Sequence, residues 1–232
     1  MSRRMTDRIR CWSGAIFNPH EVKHTMARID DYHHAKQLAV KELAPKPLNE
    51  LTSRGGFEPV DAASFEVHFL DRSYHVHCPE FAFVDRKEPS REVPMQEQIL
   101  ILHYLMAPDI PELSGKWVSY REIPGASFYF SVFVKRAVDP LKTVFGRNIA
   151  RLAAAAETLN GKAIASGDAG FEFLLFPKVP VRLIVWEGDE EFTPEANIVF
   201  DATVGRIFSP EDIAWLAGML VYRLIALAKE RR

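Results

Sequence analysis

Glu187, Asp189, Glu190 and Glu191 put four carboxylates within five residues, directly after an apolar run that ends in Trp186. Clustered carboxylate oxygens suit a hard divalent cation such as Mg²⁺ or Ca²⁺. A cation held there could activate water or polarise a carbonyl. Asp189, Glu190 and Glu191 are the candidate metal ligands, and Trp186, Glu187, Asp189 and Glu190 would rim a small-molecule site. Gly188 offers the backbone freedom for a tight or left-handed turn. The spacing is not that of an EF-hand, whose ligands alternate along a longer loop. The competing reading is a solvated hairpin tip with Trp186 and Phe192 tucked beneath it.

The histidines offer a second chemistry. Phe65, Val67 and Phe69 alternate with Glu66 and His68, and Tyr74, Val76 and Cys78 alternate with His75 and His77. Period two puts each set on one face of a hairpin. Pairing Phe69 with Tyr74 sets His68 opposite His75 and Glu66 opposite His77. Such a face could bind a transition metal or ligate a haem. It could equally be the polar side of an amphipathic hairpin. Arg121 and Arg182, on strands, could grip a carboxylate or phosphate bidentately or serve structural ion pairs.

Other routes to chemistry are missing. The chain has no Gly-x-Ser-x-Gly elbow, Walker A loop or GxGxxG. Its two cysteines, Cys11 and Cys78, lie in no CxxC frame and point to a reducing cytoplasm. A net charge of -2 gives no electrostatic footprint for nucleic acid.

The elements that must carry these residues make one α+β domain over residues 26–232, an antiparallel sheet (hairpin plus C-terminal meander) packed against several helices. The 232-residue chain, 47% hydrophobic and 26% charged, has enough material for one core. Residues 1–25, with Arg3, Arg4, Arg8 and Arg10, read as a disordered leader. Helices are expected over residues 28–43, 95–106 and 149–159; the aromatics of 127–145 suit a strand or a helix, the 3–4 spacing of Phe130, Phe133 and Val134 favours a helix, and Pro140 and Gly146 break it. Residues 49–59 read as a loop and 116–122 as a strand. A meander follows over 162–166, 171–176, 181–187 and 197–200, with 181–186 apolar on both faces except Arg182 and therefore central. Asp201, at the far end of its strand, is expected to cap the next turn rather than join the acidic cluster. Residues 213–228 are almost wholly apolar. They fall short of the roughly 20 residues a membrane span needs, and Arg223 interrupts them. They read as a buried helix, covered by the core or by a second subunit in a homodimer.

Several phrases together resemble the DUF3786 family: QILILHYLMAP, GKWVSYREIPGASFYFSVFVKRAVDPLKTVFG, FPKVPVRLIVWEGDEEFTPEANIVFDA and SPEDIAWLAGMLVYRL. The resemblance runs from about Tyr32 to Leu227, and WEGDEEF is its most specific element. It implies a domain found mainly in anaerobic bacteria and archaea, and by analogy a place near corrinoid, haem or other tetrapyrrole-type cofactors. It carries no catalytic residues across, and this chain lacks the cysteine-rich segment some relatives add. Three readings follow. The first is an accessory domain that binds a small molecule or cofactor, the second a divalent-metal enzyme using the acidic turn, and the third a homodimeric interaction module.

Overall fold

The computed structural model describes residues 19–230, with side chains from residue 31 onward. Most of the expected leader, residues 1–18, lies outside the described residues. Helix α1 (Pro19–Leu43) begins at Pro19 rather than at residue 28.

Two antiparallel sheets form instead of one. The first runs β1 (Glu58–Asp61), β2 (Ser64–Phe69), β3 (Arg72–His77) and β4 (Ala82–Asp85) in sequential order. The second contains β5 (Trp117–Ser119), β6 (Lys162–Ala163), β7 (Ala169–Phe176), β8 (Val179–Trp186) and β9 (Glu195–Asp201), in the order β5-β9-β8-β7-β6. The meander is as expected, and β8 is the central strand.

The alternation in β2 and β3 buries Phe65, Val67, Phe69, Tyr74 and Val76 completely. The expected parity is right and the register is two residues off. Phe69 pairs with Arg72, so Glu66 faces His75, His68 faces Ser73 and His77 faces Ser64. A two-residue connection, Leu70-Asp71 with Leu70 at φ 56°, closes the hairpin. Loop length of this kind sets register, and parity cannot distinguish slips of two. Arg223 fixes the turn from outside, its Nε donating to Asp71 Oδ1 at 2.7 Å and a second guanidinium nitrogen to Oδ2.

Other departures have local causes. Residues 49–59 are not a loop, because α2 (Leu48–Gly55) buries Leu51 and Thr52 there and β1 follows as an exposed edge strand. The stretch 116–122 holds only three strand residues before a 3-10 turn, Tyr120–Glu122, which Ser119 and Glu122 cap reciprocally. A 3-10 turn, Ala126–Tyr129, leads into α4 (Phe130–Phe133), a π-helical turn (Val134–Val138) and α5 (Asp139–Phe145) as one helical run. Pro140 does not break this run. Proline lacks an N–H and crowds the carbonyl four residues back. The wider π turn just before it absorbs that misfit.

Helix α3 (Met95–Met106) matches its expected bounds, and α6 (Ile149–Thr158) is capped by the Asn148 side chain. After β9, the short α7 (Val204–Ile207) precedes α8 (Pro210–Glu230). Most of the apolar circumference of α8 is covered from within the chain, by α6, α4, α5 and the π turn, while Trp215 and Met219 are half-buried and Tyr222 is exposed. Trp215 packs on Tyr32 of α1 with ring centroids 5.2 Å apart. At roughly 1.5–3 kcal/mol for each fully buried large aliphatic side chain, the buried face of this helix is a main anchor of the core.

The two sheets meet where β2 approaches β7. An aromatic cluster fills that seam. Tyr104 of α3 stacks on Phe176 at 4.7 Å, Phe69 lies 5.2 Å from Phe176, and Phe57 lies 5.5 Å from Tyr104.

Candidate functional site

The acidic turn between β8 and β9 is a docked hairpin tip. Gly188 N–H donates to the Gly146 carbonyl at 2.8 Å, and Glu187 Oε1 accepts from Ile149 N–H at 3.3 Å. The Glu187 carboxylate therefore sits at the first turn of α6, where negative charge is favoured. Asp189 Oδ1 accepts from the Glu191 and Phe192 N–H groups at 2.8 and 2.7 Å. Those bonds, the one from Phe192 first, hold its pKa below the usual carboxylate value. Glu190 and Glu191 are exposed. Trp186 and Phe192 do not tuck beneath the loop, being 42% and 69% exposed. Gly188 is needed for close approach rather than for a left-handed turn, since a Cβ there would lie 2.5 Å from the ring and nitrogen of Pro194.

The expected arginines are engaged. Arg182 donates to Glu172 at 2.8 Å and lies 3.7 Å above the Trp117 ring. Arg121 belongs to the 3-10 turn, not to a strand end, and stacks 3.8 Å from the Phe130 ring. Trp186 is four residues along β8 from Arg182, about 13 Å at strand rise, so these candidates do not converge.

The histidine face is real but is arranged differently from its expected register. His68 Nδ1 is 2.6 Å from Ser73 Oγ and His75 Nε2 is 2.7 Å from Ser64 Oγ. The His75 and His77 rings pack at 4.3 Å. Among the described residues, no group of three or more His, Cys, Asp or Glu side chains is disposed to hold a metal ion. Ser64, though beside a histidine, is fully buried. Burial, then the charge of Glu80, pushes the Cys78 thiol up to about 11, which leaves it a poor nucleophile at neutral pH.

Asp201 is the turn cap the sequence implied, and more. Its oxygens accept from Ser114 N–H and Oγ, Gly115 N–H, and Thr203 N–H and Oγ1 at 2.7–3.2 Å. Burial alone would raise its pKa. The donors, Thr203 foremost, outweigh that and bring it to about 2. His103 meets Asp212 at 3.0 Å, and that hydrogen bond raises the imidazole pKa against the opposing effect of burial.

A different place gathers unengaged groups. A groove of about 410 Å³ opens at the seam between the sheets, lined by Phe57, Glu58, Glu66, His68, Leu174 and Phe176 among others. A bulge in β7 between Leu174 and Phe176 breaks the alternation just past Leu174, so that Leu175 and Phe176 are both buried, while Leu174, still in the regular ladder opposite Pro180, is 64% exposed. Such bulges re-aim side chains. Gly56, at φ 70°, ends α2 and brings its backbone against Pro177, where a Cβ would lie 3.0 Å from the Pro177 Cβ. Tyr104 Oη holds the same corner by donating to the Gly55 carbonyl at 3.0 Å. Sequence reasoning missed Phe57, Glu58, Leu174 and Phe176. The one available signal was the double Leu in FEFLLF, which interrupts a period-two pattern.

A smaller opening of about 230 Å³ lies beside Lys46 and Cys78. Among the described residues no helix is long and apolar enough to cross a membrane.

No curated protein and no solved structure matches the chain. A family model described as a domain of unknown function does match, over residues 47–223. That span takes in the groove, both sheets and most of α8, and the chain belongs to the DUF3786 family.

Proposed function

We propose that this chain is a small-molecule-binding domain whose site is the groove between the two sheets. One observation carries the reading: aromatic floor, exposed leucine and carboxylates converge on one opening of about 410 Å³. Small-molecule sites are concave, largely apolar, and run from about 300 to 1,000 Å³. The floor rests on packed rings of α3, β2 and β7, and sites on rigid elements hold their geometry better than sites on loops. The divalent-metal enzyme draws less support, because Glu187 and Asp189 already accept from backbone donors. The homodimer through α8 draws less support, because most of that helix is covered from within the chain and only the strip at Trp215, Met219 and Tyr222 reaches the surface.

A fragment screen against ¹⁵N-labelled protein tests the proposal. Hits are expected to shift the amides of residues 56–58, 66–68 and 174–177. Leu174→Trp, at an exposed position, is expected to fill the groove and abolish those shifts, with stability changed by no more than about 0.5 kcal/mol. Hits that shift the β8–β9 turn instead, or no hits at all, overturn the proposal.

A further inference from the structure

The charge in the groove has one sign and nothing to balance it. Glu58 on β1 stands directly opposite Glu66 on β2, and like charges facing across a ladder destabilise it. Among the described residues lining the groove none is Lys or Arg, and neither glutamate side chain takes part in a hydrogen bond or ion pair. The other strand neighbour of Glu66 is His75, whose Nε2 is occupied by Ser64 at 2.7 Å. Three other carboxylates of the sheets and their turns have cations: Glu172 has Arg182 at 2.8 Å, Asp85 has Arg72 and Asp71 has Arg223. The facing pair Glu58 and Glu66 has none, and it lies at the larger of the two openings described.

We infer that the groove takes an amphipathic ammonium, a small primary or secondary amine whose charged end lies between Glu58 and Glu66 and whose apolar body covers Phe57, Leu174 and Phe176. An ammonium supplies several N–H donors to carboxylates that have none, and charge-assisted bonds of this kind are the stronger class. It also relieves the facing negative charges, and aromatic faces favour a neighbouring cation. The apolar walls would leave a bare hydrated ion without partners on that side. This inference rests on the groove being a binding site and adds only the class of molecule.

Three indole compounds of similar size and different charge separate the two claims: tryptamine (cationic), tryptophol (neutral) and indole-propionate (anionic). Binding to the full chain would be followed by amide shifts at neutral pH. Tryptamine is expected to bind at residues 56–58, 66–68 and 174–177 at least about tenfold more tightly than tryptophol, the equivalent of about 1.4 kcal/mol, with indole-propionate weakest. Glu58→Gln and Glu66→Gln, at surface positions that leave the core untouched, are expected to reduce tryptamine to the affinity of tryptophol and leave tryptophol unchanged. Equal binding of all three compounds in the groove, or tightest binding by indole-propionate, overturns the ammonium assignment and leaves the site standing. Shifts confined to other surfaces, or none at millimolar tryptamine, overturn the assignment whatever the fragment screen finds.

Discussion

The β8–β9 turn and the inter-sheet groove hold carboxylates in opposite circumstances. In the turn the acids are neighbours in sequence, and folding puts them to local structural work. Glu187 faces the start of α6, and Asp189 closes its own loop. In the groove, Glu58 and Glu66 come from different strands, Leu174 comes from the other sheet, and the glutamates are left unpartnered beside apolar walls. A hairpin tip projects its side chains outward into water, so crowding along the chain does not become convergence in space. A seam between sheets encloses space, and residues distant in sequence meet across it.

The sharpest test of this contrast uses Asp201, the carboxylate most completely consumed by structure. Asp201→Asn keeps one oxygen and sets an amide NH₂ against the Gly115 N–H. We expect a loss of about 2–3 kcal/mol in denaturant melts. The depressed pKa gives this residue a signature. Its stabilisation is present above the ordinary aspartate value of 3.8 and is lost as pH falls toward about 2. The Asn variant should lack that component of the acid limb. An unchanged acid limb would mean that the donors around Asp201 do not favour its charged form.

Gly188→Ala comes next. Its Cβ would meet the backbone nitrogen and ring of Pro194 at 2.5 Å, and we expect destabilisation of about 2 kcal/mol with groove binding intact. A neutral result would show the turn to be undocked and free to reorganise around a cation, restoring the case for chemistry there. The smallest effect is expected from Glu190→Gln with Glu191→Gln. These acids are exposed, and the double variant should stay within about 0.5 kcal/mol of the parent with amine binding unaltered. Loss of amine binding in that variant would reverse the comparison and move the site to the turn.

Much of the architecture could be read from the chain. Alternation in residues 64–77 specified which face is buried, the apolar run ending at Trp186 marked the central strand, and the apolar stretch 213–228 marked the body of α8. The role of Asp201 was legible too, because a short polar side chain before a turn bonds its own backbone. The register of β2 with β3 was not, because slips of two residues preserve every face. Helix α2 hid behind its flanking Pro47 and Gly55-Gly56.

Periodicity and capping are local properties, carried by neighbouring residues, so the sequence by itself determined most element types, the buried faces of β2 and β3, and the family. Which carboxylates stay unpartnered beside apolar walls was decided only when β2 met β7 and the bulge past Leu174 turned Phe176 inward. The physical reason is range. Backbone hydrogen bonds and side-chain alternation act over a few residues, whereas a groove exists only between surfaces brought together by burial of Phe69, Tyr104 and Phe176.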